Sequence, residues 1–260
     1  MRKDKYKLRN FSFRIRKSIL KYAHSSQCSH LGSNLSIVEI LTVLYNQFLK
    51  SKKHSFILSK GHACLALYCV LKEKKYITSK MLNSFGKNDS ILMSHTSHKV
   101  NGIELSTGSL GHGLPVASGI ALANKIKKNK NNKTFVLLSD GELDEGSNWE
   151  ALLFSTHHKL NNLVIIIDYN KIQSIGLVKK TLNLEPISKK FKSFGCKTIS
   201  INGHNYNEIV SAINIKSSKP LVIIANTVKG KGVKFMENSV RWHYKPLDKE
   251  SFQKAINILK

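Results

Sequence analysis

The chain has 260 residues, 41% of them hydrophobic, and its 42 Lys and Arg against 16 Asp and Glu give a formal net charge of +26. This length holds one large or two small domains, and the hydrophobic content excludes a disordered chain. No apolar run approaches the roughly 18 residues of a membrane span, and the basic N-terminus lacks the apolar region of a secretion signal. We therefore expect a cytoplasmic protein. Its four cysteines, Cys28, Cys64, Cys69 and Cys196, show no metal-binding spacing, so we expect them to be buried thiols.

The positive charge raises the question of nucleic-acid binding. The basic residues comprise 37 Lys and 5 Arg, whereas nucleic-acid readers favour arginine for bidentate contacts. The lysines are spread along the whole chain, and Lys, Asn and Ile share A/T-rich codons. Compositional drift therefore accounts for the charge better than a nucleic-acid interface does. A positive field would still attract phosphorylated ligands.

Apolar residues recur at helical spacing in the first fifth of the chain. They predict a helix over 12–24 and a second helix over 36–50, which starts with a capping box formed by Ser36 and Glu39. A short strand over 55–59 follows.

The next segments alternate between glycine-containing turns, helices and apolar strands. A Gly-His turn opens a helix within 60–75, and a glycine-rich loop opens a helix of small residues within 105–127. The remaining predicted elements are strand 134–139, helix 147–159, strand 163–168, a helix near 185–194, strand 196–201, helix 205–215 and strand 220–226.

Continuous Val, Ile and Leu strands that alternate with helices indicate a parallel sheet covered on both faces. With no internal repeat and no linker, we predict a single α/β domain over 1–260, a doubly wound parallel sheet with helices on both faces. The polar, glycine-punctuated segment 227–260 is expected to be an extended C-terminal arm beside the active site.

The scarce carboxylates concentrate in one window, at Asp140, Glu142, Asp144, Glu145 and Glu150. Asp140 directly follows the strand 134–139, and Asn170 follows the next strand. Because ligands of open α/β sheets bind at the carboxyl ends of the strands, both side chains should meet there if the two strands are neighbours. Hard oxygen ligands of this kind suit Mg²⁺ that also holds phosphate, and Gly141 lets the backbone approach a diphosphate.

A purely structural interpretation covers part of this window. Ser147 and Glu150 form a second capping box, and acidic side chains near a helix N-terminus complement its dipole. We assign that function to Asp144 and Glu150, but not to Asp140, which ends a strand before the helix begins.

The run "SDGELDEGSNWEALLFSTHHKLNNLVIIIDYNKIQSIG" resembles the thiamine diphosphate and Mg²⁺ motif of the transketolase family. The resemblance continues in "SHLGSNLSIVEILTVLY", "LSKGHACLALYCVL", "ELSTGSLGHGLPVASGIALA" and "TVKGKGVKFMEN", in the order that the family has them. It implies the diphosphate-binding, N-terminal half of a transketolase and ketol transfer within the pentose phosphate pathway.

The resemblance also implies a set of site residues. Asp140, Asn170 and the carbonyl of Ile172 would ligate Mg²⁺. The thiamine diphosphate would be contacted by His62, Gly108, Ser109, Leu110, Gly141, Asn170 and His243, and Glu145 would sit at a subunit interface beside it. The substrate would be faced by His30, His95 and His243. Surface or capping positions are expected for the other histidines with no motif, His24, His54, His98, His157, His158 and His204.

Four residues depart from the family pattern, namely Ser139, Thr96, His112 and Tyr244. The family has glycine at the position of Ser139, proline at that of Thr96, glutamine commonly at that of His112, and glycine at that of Tyr244. These differences are compatible with drift, with another sugar preference or with weakened activity.

The glutamate and aromatic pocket that serve the aminopyrimidine ring belong to the family's other half. The resemblance therefore implies a separate C-terminal transketolase subunit, an α2β2 heterotetramer and phosphorylated sugar substrates. Two alternatives stay open: another thiamine enzyme, of the deoxyxylulose-phosphate synthase or unusual-sugar type, and a basic nucleic-acid-binding protein on a relic fold.

Overall fold

Five parallel strands form one sheet in the computed structural model, which describes residues 2–50, 53–129 and 131–259. The spatial order is β1-β2-β3-β5-β4, and each neighbouring pair is parallel. The strands are β1 (Ser55–Leu58), β2 (Thr134–Ser139), β3 (Leu163–Tyr169), β4 (Lys197–Asn202) and β5 (Leu221–Asn226). The predicted α/β class and parallel sheet are confirmed.

The burial of each strand follows from its position in the sheet. Every residue of β2 and β3 is buried, because helices cover both faces of these inner strands. The edge strand β4 instead mixes buried, half-buried and exposed positions. This difference explains why β2 and β3 contain apolar runs of four and five residues, Phe135–Leu138 and Leu163–Ile167, whereas polar and apolar residues alternate in "KTISIN".

The helices pack into one apolar core on each face of the sheet. The α-helices are α1 (Arg2–Ser26), α2 (Leu31–Ser36), α3 (Val38–Val43), α4 (Cys64–Glu73), α5 (Ser79–Leu82), α6 (Gly113–Ile126), α7 (Gly146–His157), α8 (Val178–Thr181), α9 (Ile187–Ser193), α10 (Tyr206–Ile213) and α11 (Lys249–Ile258). Residues of α1, α3, α4 and α10 join one core, and residues of α6, α7 and α9 join the other.

The helix expected over 36–50 is interrupted. Helix α2 already begins at Leu31, the chain breaks helical geometry at Ile37, and α3 continues into a π-helical turn over Leu44–Phe48. The predicted capping box was wrong, because Ser36 is buried and donates to Asp168 Oδ2 at 2.7 Å rather than capping a helix.

Helix α11 lies within the segment for which we expected an extended arm. Asp248 caps this helix by accepting the amide N–H of Ser251 at 2.8 Å. The helix packs against α1, so the end of the chain is joined to the body of the domain.

The carboxyl ends of β1, β2 and β3 lie at one edge of the sheet, where the chain turns after each strand. A 3-10 turn over Gly61–Ala63 follows β1, and another over Gly141–Asp144 follows β2. Within the described ranges no helix is both long and apolar enough to cross a membrane. The four cysteines are free thiols.

Candidate active site

A cavity of about 260 Å³ lies at this edge, between the segments that follow β1, β2, β3 and β5. Ser139 and Asp168 are register partners at the ends of β2 and β3, so the residues that follow them enter the cavity side by side. The cavity is lined by His30, Ser33, Lys60, His62, His95, Gly108, Leu110, Ser139, Asp140, Gly141, Asn170, Ile172, Gln173, Ser174, Lys229, His243 and Tyr244.

Asp140 and Asn170 meet in this cavity, as the sequence predicted for neighbouring strands, and Ile172, which the resemblance added, lines it as well. Asp140 is 1% exposed and accepts the amide N–H groups of Gly141 at 2.9 Å and Lys171 at 2.5 Å. Asn170 Oδ1 accepts the N–H of Ile172 at 3.1 Å. Burial, together with the nearby Asp168 carboxylate, raises the pKa of Asp140 to about 7. A buried anion in such surroundings is stabilised by a bound cation.

This donor set fits Mg²⁺. It offers a carboxylate, a side-chain amide oxygen and a backbone carbonyl, all of which are hard oxygen ligands. The carbonyl of Ile172 already accepts a hydrogen bond from Lys229 Nζ at 3.1 Å, so a cationic group lies at this position in the structure itself.

Two buried lysines line the cavity, and neither was predicted from the sequence. Lys60 is 0% and Lys229 2% exposed. Lys60 Nζ pairs with Asp168 at 2.5 Å, whereas Lys229 Nζ contacts Ser33 Oγ at 3.4 Å and His243 Nδ1 at 3.1 Å. Burial and the charge of Lys60 lower the pKa of Lys229 to about 8. Only their positions next to the glycines of "SKGH" and "VKGKG" distinguish these lysines from the others in the sequence.

Four histidines form a cluster around the cavity. The ring of His30 lies 4.9 Å from that of His243, 5.3 Å from that of His62 and 6.3 Å from that of His95. Backbone contacts fix the arrangement, because the His30 N–H donates to the His243 carbonyl at 2.7 Å. His30 itself adopts a left-handed conformation with φ 66°.

These imidazoles are neutral near pH 7. Burial, His95 and the charges of Lys229 and Lys60 lower the pKa of His30 to about 4. Burial and Lys229 lower the pKa of His243 to about 3, and burial also lowers the pKa values of His62 and His95. Because the Lys229 ammonium can only donate, His243 Nδ1 accepts and Nε2 carries the proton.

Two of the residues assigned to cofactor binding, Ser109 and Glu145, lie outside the cavity lining. Gly108 and Leu110 line the cavity, but Ser109 between them is exposed and does not. Glu145 is exposed, lies outside the cavity lining and precedes α7, where its side chain makes no capping hydrogen bond. A Cβ at Gly111 would lie 2.8 Å from Glu145 Cβ, so Glu145 packs against the loop that carries Gly108 and Leu110.

The acidic window has a structural function that was not predicted from the sequence. Glu142 is 0% exposed, and its carboxylate accepts hydrogen bonds from Ser59 Oγ at 2.5 Å, Gly111 N at 3.0 Å and Ser139 N at 3.3 Å. It therefore fastens together the segments after β1 and β2 and the glycine-rich loop.

The second predicted capping box was wrong as well. Ser147 Oγ donates to the Gly111 carbonyl at 2.7 Å, a contact with the glycine-rich loop that local sequence spacing cannot reveal. Asp144 accepts from Gln173 Nε2 at 2.8 Å, and Glu150 is exposed on the first turns of α7.

The four departures lie at or near the cavity. Ser139 Oγ accepts the N–H of Glu142 at 3.3 Å, and Thr96 is buried with its hydroxyl 2.6 Å from that of Thr107. His112 is exposed before α6. Tyr244 is 59% exposed at the cavity mouth, with its ring 4.8 Å from that of His243.

Comparison with known proteins decides the family. Residues 13–259 match the family model described as "Transketolase, thiamine diphosphate binding domain". The chain belongs to the transketolase family. It is 41% identical to an apulose-4-phosphate transketolase subunit of Actinobacillus succinogenes over 94% of this chain and 92% of that one, and 37% identical to the 6-deoxy-6-sulfo-D-fructose transketolase subunit SqwG of a Clostridium species over 93% and 92%.

Solved transketolases share the fold. The Campylobacter jejuni transketolase superposes with a TM-score of 0.87 at 32% identity, covering 97% of this chain and 42% of that one. The chain likewise spans 41% of human transketolase, to which it is 33% identical. The family and enzyme class that the sequence motifs predicted are confirmed, and the chain corresponds to the thiamine diphosphate-binding part of a transketolase.

Proposed function

We propose that this chain is the diphosphate- and Mg²⁺-binding subunit of a two-subunit transketolase, which transfers a two-carbon ketol unit from a ketose phosphate to an aldose phosphate. The observation that carries the proposal is the meeting of Asp140, Asn170 and the Ile172 carbonyl with neutral imidazoles in one cavity. We also propose that residues 1–260 form one domain, and that the C-terminal segment 227–260 contributes one side of the cavity through Lys229, His243 and Tyr244.

The diphosphate end of the site follows from charge and backbone access. Asp140, Asn170 Oδ1 and the Ile172 carbonyl hold Mg²⁺, while Gly141 and His62 contact the diphosphate. The Lys229 ammonium opposes its remaining negative charge, whereas the charge of Lys60 is already balanced by Asp168. Gly108 and Leu110, with Ser109 between them, border the aminopyrimidine end.

The histidines handle protons at the substrate end. Thiamine diphosphate, when bound, supplies the carbanion stabilisation that carbon–carbon cleavage needs. Neutral His30, His95 and His243 then donate to or accept from the hydroxyl and carbonyl groups of the sugar. His243 presents a defined tautomer, because Lys229 fixes its Nδ1 as an acceptor.

The complete enzyme includes a partner. Relatives of matching length are themselves named as subunits of a transketolase, which supports a second polypeptide that carries the rest of the active site. We propose an α2β2 heterotetramer in the cytoplasm, with the exposed Glu145 at a subunit contact beside the cofactor. Four free cysteines fit a reducing compartment.

Two classes of sugar phosphate are candidate substrates. Xylulose 5-phosphate and ribose 5-phosphate, the pentose phosphate substrates, are the first pair to assay. A second candidate is an unusual sugar, because the relatives of matching length are named for apulose 4-phosphate and 6-deoxy-6-sulfofructose. The Tyr244 ring also narrows the cavity mouth beside His243, at a position where the family has glycine.

A calorimetric titration tests the proposal. Thiamine diphosphate is titrated, with and without Mg²⁺, into the complex of this chain and its C-terminal subunit. Asp140→Asn removes the charge and replaces one of the two acceptor oxygens with an amide NH2, and it should weaken Mg²⁺-dependent binding at least tenfold. Asp89→Asn changes an exposed carboxylate and should leave that binding unchanged. Ketol transfer is then assayed with both sugar classes. Absence of saturable binding by a folded wild-type complex would overturn the proposal.

A further inference from the structure

An ionic cluster of two buried side chains and one half-buried histidine lies beside the turn that carries Lys229 and takes no part in the chemistry proposed above. Arg16 is 8% and Glu39 6% exposed, and the side chain of His204 is 13% exposed. Arg16 Nη1 and Nη2 contact Glu39 Oε1 and Oε2 at 2.7 and 2.8 Å, and His204 Nδ1 lies 2.9 Å from the same Oε2. The cluster joins α1, α3 and the turn after β4, which are distant in sequence.

The cluster also binds the backbone on both sides of Lys229. The N–H of Val228 donates to His204 Nε2 at 2.9 Å, and Arg16 Nε donates to the Lys231 carbonyl at 3.0 Å. Since the imidazole and the guanidinium are both anchored on Glu39, one buried carboxylate fixes both ends of the four-residue turn 228–231.

The hydrogen bonds define the protonation of the cluster. A backbone N–H can only donate, so His204 Nε2 accepts from Val228 and Nδ1 carries the proton that it donates to Glu39. Burial alone would raise the pKa of Glu39, but Arg16 and His204 outweigh it and lower that pKa to about 2. Glu39 is therefore an anion that accepts from both partners.

The turn needs such an external anchor. Gly230 and Gly232 have φ values of 81° and 94°. Because glycine restricts the backbone little, this segment could adopt many other conformations if nothing held it. Two further ties are the hydrogen bonds from Gly230 N to the Gly32 carbonyl and from Asn238 N to the Lys229 carbonyl, both at 2.9 Å. Lys229 Nζ reaches its partners at 3.1 Å, so a displacement of the turn by about 1 Å takes it out of hydrogen-bond range.

We propose that Arg16, Glu39 and His204 are positioning residues that hold the turn 228–231, and with it Lys229, against the diphosphate end of the cavity. The consequence for cofactor binding rests on the proposed function. The placement of Lys229 does not, and it can be measured without the cofactor.

The first test measures the acylation rate of Lys229 with acetic anhydride in the full chain, followed by mass spectrometry. Wild-type Lys229 should be protected by burial, and His204→Ala should raise its rate at least tenfold. His204→Gln keeps an acceptor near the Nε2 position and should restore protection, whereas His204→Asn keeps only the donor toward Glu39 and should resemble His204→Ala.

The matched control is His54→Ala. His54 Nδ1 also accepts a backbone N–H, from Lys133 at 3.0 Å, but it lies at the opposite edge of the sheet before β1. Loss of this hydrogen bond should leave the Lys229 rate unchanged.

The second test measures the thiamine diphosphate Kd of the Mg²⁺-loaded complex with the C-terminal subunit. His204→Ala should raise Kd about tenfold, which corresponds to about 1.4 kcal/mol. In a Lys229→Met background the same substitution should change Kd less than about twofold, because His204 acts through Lys229.

Two results would overturn the inference: Lys229 that stays protected in His204→Ala, or an equal rise in Kd with and without Lys229. A wild-type complex that binds no thiamine diphosphate would defeat the proposed function instead, and the acylation rates would still decide whether the cluster positions Lys229.

Discussion

The ion pair between Lys60 and Asp168 offers the sharpest test of how the candidate site is held together. Both side chains are 0% exposed, and Nζ lies 2.5 Å from Oδ2. Asp168 also accepts from Ser36 Oγ at 2.7 Å and from the Thr227 hydroxyl. Lys60→Met keeps the length of the side chain and removes its charge, leaving a buried carboxylate without a cationic partner.

The expected cost is large because solvent cannot replace the lost ammonium. Removing one partner of a buried ion pair costs about 3–5 kcal/mol of unfolding free energy. Asp168 keeps its hydrogen bonds from Ser36 and Thr227, which places the expected loss for Lys60→Met near the lower limit, at about 3 kcal/mol. In the double variant Lys60→Met/Asp168→Asn neither charge remains, and we expect a loss about 2 kcal/mol smaller than the sum of the two single losses.

Urea unfolding of the chain, followed by far-ultraviolet circular dichroism, measures these differences. The control is Arg14→Met, which breaks the Arg14–Glu73 pair between α1 and α4, where the Arg14 side chain is 54% exposed. This substitution should cost at most about 1 kcal/mol. A loss below about 1 kcal/mol for Lys60→Met, or strictly additive losses in the double variant, would refute the reasoning.

Two further predictions concern stability. Glu39 has a pKa of about 2 against an ordinary 4.5, so its stabilisation is complete above pH 4.5 and is lost as the pH falls toward 2. Wild type should therefore lose about 3 kcal/mol more than Glu39→Gln over that window in urea unfolding, and parallel pH curves would contradict this. In α6, a Cβ at Gly113 would lie 2.2 Å from Ser59 Oγ, while one at Gly119 would meet nothing within 4 Å. Gly113→Ala should cost about 1–3 kcal/mol and Gly119→Ala should stabilise slightly, so equal thermal shifts would count against this packing.

The sheet and the location of the cavity could be predicted because each depends on a local pattern. Strands buried on both faces are mostly apolar, which makes β2 and β3 visible as the runs Phe135–Leu138 and Leu163–Ile167. In a parallel sheet the residue after each strand lies at the same edge, so Asp140 and Asn170 could be placed at that edge from the sequence. Their meeting depended on β2 and β3 being neighbours, which the structure shows.

Hydrogen bonds between distant segments could not be predicted. Ser36 and Ser147 occur at the spacing of capping boxes, yet their hydroxyls bind Asp168 and the Gly111 carbonyl. The buried lysines were missed for a similar reason. Among 37 lysines, nothing in composition or periodicity separates Lys60 and Lys229 from those on the surface.

The acidic residues differ from the lysines in this respect. Among the side chains that the structure describes, four carboxylates are buried, and each holds a segment of the site: Glu39, Asp140, Glu142 and Asp168. Exchanging an exposed carboxylate for lysine changes stability by about 0.5 kcal/mol or less, so a composition that favours lysine can replace it freely. Exchanging a buried carboxylate leaves its donors unpaired and introduces a second buried charge. These four carboxylates of a strongly basic chain therefore occupy positions where burial and hydrogen bonding require an anion, and in this fold those positions hold segments that line the cavity.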